Sequence, residues 1–396
     1  MSVIVQERTA PRAGRSRLAA LDGLRLVAAL AVAAYHYTVA WRLDGTNLPQ
    51  YYLPHLVHVS VYGFLGVELF FLISGFVICM SSWGRTLGDF FTSRVSRLYP
   101  AYWAAVLITA AVAVAFPLNG VAGVGRPGPL QILVNMTMLQ QPLGVPAVDS
   151  VYWTLFTELR FYLLMALILR TGLTYRKMVL FCCVWMTAAV LGPPLLNEQL
   201  NVLLVTDYAP YFSAGIAMYL IRRFGPTPLL YGIVGFAWLV SLDRVDDRLH
   251  HVNPGFAVPV WPGAVIITSA YAIMLAVALG RTDRISWRWL PLAGALTYPF
   301  YLLHQRIGYT VIRAVHQHLD VPVWTIIAGT VVLLLGVAWL VHRLLERRGT
   351  VLLRNALRRS LAALDRSDGP PPPPAPHVVA PRVVTSRPPA RQRVSP

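Results

Sequence analysis

Residues 18–40 read LAALDGLRLVAALAVAAYHYTVA. At about 1.5 Å per residue, such a run crosses the ~30 Å hydrocarbon layer of a bilayer. It lacks the short apolar core and small-residue cleavage site of a removable signal peptide, so it reads as a retained transmembrane helix. Yet it keeps Asp22, Arg25 and His36. Ionisable groups are expensive inside a bilayer, and a helix that retains them points to polar chemistry within the membrane.

The rest of the chain repeats this pattern. Of 396 residues, 56% are hydrophobic and 13% charged. A soluble domain carries about a quarter charged residues, so an ordinary cytosolic enzyme and a disordered chain are both excluded. Further apolar runs lie near 60–81, 100–117, 150–170, 178–196, 205–221, 228–241, 259–279, 290–311 and 323–345. They predict an all-α integral membrane protein of about ten transmembrane helices. The apolar stretch 130–140 is shorter and reads as a re-entrant or interfacial piece.

A formal charge of +17 would ordinarily raise nucleic acid as a partner. The basic residues instead gather in alternate loops, as at Arg94 and Arg97, Arg170, Arg176 and Lys177, and Arg222 and Arg223. This is the signature of cytoplasmic loops in a polytopic protein. It predicts a plasma-membrane protein with an even helix count and both termini cytoplasmic, and no nucleic-acid role. The expected organisation is a basic N-terminus over 1–17, a membrane domain over 18–350, and a basic, Pro-rich, mostly disordered tail over 351–396 that includes the row Pro370 to Pro374. Cys79, Cys182 and Cys183 lie in apolar segments with no spacing suited to zinc or a disulfide framework, and no metal is expected.

Four constellations place polar groups at membrane depth. In the first helix, Arg25 and His36 are about three turns apart and line one face; Asp22 and Arg25 suit an interfacial i,i+3 pair. In the second, Gly66, Ser74 and Gly75 suit close helix approach. Glu68 in the same helix must be neutral, paired or facing water, with Arg25 or protonated His36 as available cations. Arg94 and Arg97 aim two guanidinium forks in one direction and suit a phosphate, although ordinary cytoplasmic anchoring uses the same residues. The fourth sets Trp153 and Glu158 beside Tyr301 and His304, as an acid–base site or a structural pair.

In order along the chain, these residues resemble the membrane-bound acyltransferase family 3. Asp22-Gly23-Leu24-Arg25 with His36 is similar to its opening motif, and Gly66-Val67-Glu68-Leu69-Phe70-Phe71 with Ser74-Gly75-Phe76 to its second. Arg94, Arg97, Tyr99, Pro100, Tyr102 and Trp103 match a third, and Trp153-Thr154-Leu155 with Glu158, Phe161 and Tyr162 a fourth. Tyr301-Leu302-Leu303-His304 and Glu346 resemble the late motifs, while Leu26, Leu159 and Arg347 depart from the family's usual residues.

The resemblance implies transfer of an acyl group from cytosolic acyl-CoA, acetyl-CoA in the simplest case, to a hydroxyl of a carbohydrate, glycolipid or glycosylated small molecule. It implies Arg25, Arg94 and Arg97 as the anion-binding set, and His36 as general base, oriented by Glu68 or Glu158. His304, Tyr102 and Trp153 are further candidates. The same His and Glu residues would also serve a proton-coupled transporter, and a non-catalytic membrane scaffold is the third reading.

Overall fold

The computed structural model describes residues 18–43, 47–118, 125–253 and 257–367. Among them every regular element is helical. The chain runs through α1 (Ala19–Thr38), α2 (Pro54–Ser60), α3 (Gly66–Ser82), α4 (Leu87–Ala115) and α5 (Pro129–Asn135). It continues through α6 (Trp153–Leu169), α7 (Tyr175–Leu195), α8 (Glu198–Leu204), α9 (Ala209–Phe224) and α10 (Pro228–Asp243). The last helices are α11 (Val245–Val252), α12 (Val260–Ala278), α13 (Leu290–His318), α14 (Val323–Val341) and α15 (Arg347–Ser367). Side chains punctuate the entries: Thr86, Thr174, Asn197 and Thr227 accept hydrogen bonds from backbone N–H groups opening α4, α7, α8 and α10.

Among the described residues, seven stretches are long and apolar enough to cross a membrane, and α10 with α11 forms a pair bent by 42° that would add an eighth. The expected number was about ten, and all ten apolar runs do fall on helices. The difference lies in helices that meet protein rather than lipid. Every residue of α9 from Ala209 to Ile221 is buried, although the helix is only 16 residues long. In α13 the polar groups His304, Arg306 and Arg313 are themselves buried. A helix enclosed by other helices is free of the composition that lipid contact demands.

The short run 130–140 contains α5, and its Asn135 side chain is fully buried, donating to the carbonyls of Gln131 and Pro146 and accepting from Val148 N–H. Residues 351–367, grouped with the tail by the sequence reading, belong to α15, which packs along α4. The basic N-terminus 1–17 and the proline row lie outside the described residues.

Close backbone contact organises the centre. A Cβ on Gly75 of α3 would sit 2.2 Å from the Phe212 carbonyl oxygen of α9, and one on Gly215 of α9 would sit 2.1 Å from the Leu72 carbonyl oxygen. Gly66 meets the Ala28 carbonyl of α1 in the same way, at 2.5 Å. Small residues let membrane helices approach until van der Waals contact is made along the backbone itself, a main source of cohesion where lipid supplies no hydrophobic drive. Gly215→Ala is therefore expected to destabilise the fold by overpacking, about 1–3 kcal/mol. Gly232→Ala, which meets nothing within 4 Å, should leave the thermal transition of the detergent-solubilised protein nearly unchanged.

Candidate active site

Among the described residues, α3 lines two neighbouring cavities inside the helical bundle. The first, of about 120 Å³, is lined by Arg25 of α1, Arg94 and Arg97 of α4, Glu158 and Tyr162 of α6, and Ser74 of α3, with apolar walls that include Phe70, Phe71 and Ile78. Arg94 and Arg97 lie one helical turn apart on α4, so their guanidinium groups share this space as the i,i+3 spacing predicts.

Arg94 is held rather than free to swing. Its Nη2 donates to Ser81 Oγ at 2.9 Å, and its guanidinium lies 5.8 and 5.9 Å from the centres of the Phe90 and Tyr162 rings. Its Nε is buried with no hydrogen-bond partner. Arg25 stands 3.7 Å from Asp22 as the expected i,i+3 pair. Glu158 Oε1 accepts from Tyr162 Oη–H at 2.6 Å and from Ser74 Oγ–H at 3.1 Å. Three guanidinium groups against one carboxylate make an anion-attracting chamber.

The second cavity, of about 430 Å³, is lined by His36 and Tyr35 of α1, Phe64, Trp153, Tyr208, Arg248 and His251. His36 Nδ1 lies 2.9 Å from His304 Nε2, and His304 Nδ1 lies 2.8 Å from the Tyr301 carbonyl oxygen. A carbonyl only accepts, so His304 carries its proton on Nδ1 and presents a lone pair at Nε2. That lone pair takes the Nδ1–H of His36, and in the neutral pair the remaining lone pair of His36 is on Nε2. The chain of bonds thus orients a base on the cavity wall. Tyr37 adds to it by donating to the His304 carbonyl at 2.6 Å, an approach open only because position 308 is glycine: a Cβ there would meet Tyr37 Oη at 2.4 Å.

Several expectations change here. Glu68 was given Arg25 or His36 as its cation, but its Oε1 accepts instead from Arg248 of α11, at 3.0 Å from Nη2 and 3.3 Å from Nε. Glu158 and His304 were read as one constellation, yet Glu158 belongs to the arginine cavity and His304 to the imidazole pair. The carboxylate expected to orient His36 is therefore an imidazole in the structure. Tyr102 is fully buried and donates to the Asn135 carbonyl at 2.6 Å, fastening the α5 segment together with Tyr99 and Trp103. Trp153 does line the histidine cavity. Ser74, assigned to helix packing, turns its hydroxyl to Glu158.

Arg248 stands outside the four constellations, in the mixed-charge stretch from Asp243 to Arg248, a composition typical of a solvated loop. Its signal was the i,i+4 spacing of Arg244 and Arg248 with Val245, Leu249 and Val252, an amphipathic turn whose Val245 and Leu249 are buried. Arg244 caps the neighbouring carbonyls of Thr206 and Asp207. Arg248 covers the Tyr208 ring at 5.2 Å on its way to Glu68.

Asp149 clamps this region from the loop ahead of α6. Its Oδ2 accepts from the Arg306 backbone N–H at 3.1 Å, two residues beyond His304, and its Oδ1 from Val151 N–H at 3.3 Å. Burial pushes its carboxyl up to about 6, although these hydrogen bonds pull the other way. A folded value above the unfolded one means that its stabilising contribution is complete below the ordinary carboxylate range and is lost as pH rises through about 6. Thermal unfolding from pH 4.5 to 7.5 should therefore show a flatter pH dependence in Asp149→Asn than in the parent protein, with a lower midpoint at acid pH. For the Glu68 pair, Arg248→Leu should cost about 3–5 kcal/mol by leaving a buried carboxylate unpaired. Adding Glu68→Gln should recover much of the loss in the same unfolding measurement.

Comparison with known proteins identifies the family. The profile of the family described as an acyltransferase domain, acyltransferase family 3, matches residues 18–343. The acyltransferase MdmB of Streptomyces mycarofaciens is 28% identical over 333 residues, covering 76% of this chain and 80% of its own length. The peptidoglycan O-acetyltransferase OatA of Listeria monocytogenes is 25% identical over 202 residues, 44% of this chain, and the match spans only 30% of that longer protein. No solved structure matches. With the profile covering most of the chain and apolar helices suited to repeated membrane crossing, the protein belongs to acyltransferase family 3 and is a multi-pass membrane protein.

Proposed function

We propose that the protein transfers an acyl group, acetyl in the simplest case, from acyl-CoA to a hydroxyl of a carbohydrate or glycosylated acceptor. The observation that carries this reading is the pairing of two unlike cavities that share Val67 and Tyr301 as wall residues. One concentrates guanidinium groups suited to the phosphates of an anionic donor. The other presents an oriented imidazole beside aromatic and hydroxyl-bearing walls suited to a sugar. The activity of OatA, O-acetylation of peptidoglycan, supports a hydroxyl acceptor of the same class.

In this reading Arg25, Arg94 and Arg97 hold the donor from the cytoplasmic side of the plasma membrane, with both termini on that side. Arg94 Nε, buried without a partner, is a donor available for it. Glu158 is held by Ser74 and Tyr162 and fixes the opposite wall. His36 Nε2 takes the proton of the acceptor hydroxyl as its oxygen attacks the thioester carbonyl carbon. His304, accepting the Nδ1–H bond of His36, strengthens that bond as the imidazolium forms. The C–S bond then breaks, and His36 returns the proton to the departing thiolate, leaving an ester and free CoA. Glu68 acts through Arg248 on the cavity wall rather than on the base.

The test is incubation of the purified protein in nanodiscs with radiolabelled acetyl-CoA and a panel of glycan and glycoside acceptors, following both label transfer and CoA release. Transfer by the parent protein is expected, with His36→Ala reducing kcat by about 10²–10⁴-fold, the usual scale of general-base catalysis. Arg94→Ala and Arg97→Ala should raise KM for acetyl-CoA while leaving the acceptor KM near its parent value. An unchanged kcat in folded His36→Ala would remove the base. Acceptor translocation without CoA release would favour the transporter reading.

A further inference from the structure

Tyr301 stands at the junction of the two cavities. It and Val67 are the two residues that line both, and of these Tyr301 alone carries a polar side chain. Its position is fixed from several directions. Its backbone carbonyl accepts the Nδ1–H of His304, its ring packs edge-on against Phe70 at 5.5 Å between centres, and its residue is 7% exposed.

Among the described residues its hydroxyl hydrogen-bonds Thr154, with Oγ1 at 3.1 Å from Tyr301 Oη. Thr154 Oγ1 also lies 3.0 Å from the Val151 carbonyl oxygen. The threonine has a single proton, and the carbonyl can only accept. When that proton serves the carbonyl, Tyr301 donates to Thr154. When it turns to Tyr301 Oη, the tyrosine proton is free to point into the junction. The threonine is thus a resting partner that can exchange a bond to itself for one between Tyr301 and a bound group.

We propose that Tyr301 is a catalytic residue, the hydrogen-bond donor to the oxyanion formed when the acceptor attacks the acyl carbonyl. The proposal rests on the two-cavity reading above. An acyl group passing from one cavity to the other has its carbonyl beside the residues common to both. As the acceptor oxygen forms its bond to the carbonyl carbon, the π pair of the carbonyl moves onto oxygen, and the Tyr301 O–H donates to that charge without giving up its proton. Collapse restores the carbonyl and breaks the C–S bond, while the proton on His36 goes to sulfur. Base and oxyanion donor are coupled through one turn of α13: the Tyr301 carbonyl sets the tautomer of His304, and its hydroxyl meets the opposite end of the reacting group. A donor of this kind acts in the transition state more than on the bound substrate.

The test uses the full-length protein in nanodiscs with acetyl-CoA and whichever acceptor the parent protein acylates. Tyr301→Phe should lower kcat by about 10²–10³-fold, the effect of deleting one oxyanion donor, with both KM values within about twofold and an unchanged thermal midpoint. Replacement of Tyr301 by 3-fluorotyrosine and then 3,5-difluorotyrosine keeps the ring's place while making the hydroxyl more acidic. Rate should follow that acidity at fixed pH as long as the phenol remains protonated. A kcat for Tyr301→Phe within threefold of the parent overturns the proposal, as does a loss confined to KM. A purely structural role would lower the thermal midpoint and leave kcat indifferent to fluorination, which equally overturns it if Tyr301→Phe fails to fold. No acyl transfer by the parent protein would instead refute the function on which the proposal rests.

Discussion

Backbone-to-backbone contact between α3 and its neighbours is the constraint from which the interior follows. Gly66 admits α1 and Gly75 admits α9, each at a distance that a single methyl would forbid. With those faces taken up by helix contact, the remaining face of α3 turns Val67, Phe70, Phe71, Ser74, Val77 and Ile78 toward the arginine cavity. Their spacing of three and four residues keeps them along one stripe of the helix. Had α3 stood further from α9, its own side chains would have been needed to fill the gap. Close glycine packing frees them to build a wall.

The polar groups follow a second constraint, that charge at depth is met by opposite charge or by hydrogen bonds. Glu68 meets Arg248, Arg25 meets Asp22, and Glu158 is held by two hydroxyl donors. A buried pair of this kind is weak evidence for stability, since desolvation offsets much of its attraction. Its value here is positional. Arg248 holds the cavity wall of α11 to α3, and the imidazole pair ties α1 to α13 with a defined tautomer.

Much of this was legible along the chain. The ten apolar runs fall on ten helices, and Arg25 of α1 lines one cavity together with Arg94 and Arg97 of α4 despite their distance along the chain. Residue type was enough to mark them, because lipid makes every ionisable group conspicuous. Pairing was not legible. Helical spacing says which residues share a face of one helix but not which helix that face meets, so Glu68 was matched with cations on α1 when its partner stood on α11. Seven of the described stretches pass as spans by length and composition, or eight with the bent pair, because α9 and α13 meet protein on most sides and hydropathy measures suitability for lipid. Arg248 was hidden because its neighbours Asp246 and Asp247 made the segment look solvated.

The separation into two cavities has a chemical consequence of its own. A thioester exposed to water is lost to hydrolysis, and an acyltransferase must let a substrate hydroxyl, not water, reach the acyl carbon. Phe70 and Phe71 give the arginine cavity apolar walls, and Val67 and Tyr301 line both cavities. In the proposed reaction Arg25, Arg94 and Arg97 would hold the anion in the other cavity, while Arg248, the guanidinium beside the base, is paired with Glu68. In the proposed reaction the donor would be held and the acceptor activated by different walls of the protein, and α1, α3, α6 and α13 each contribute to both.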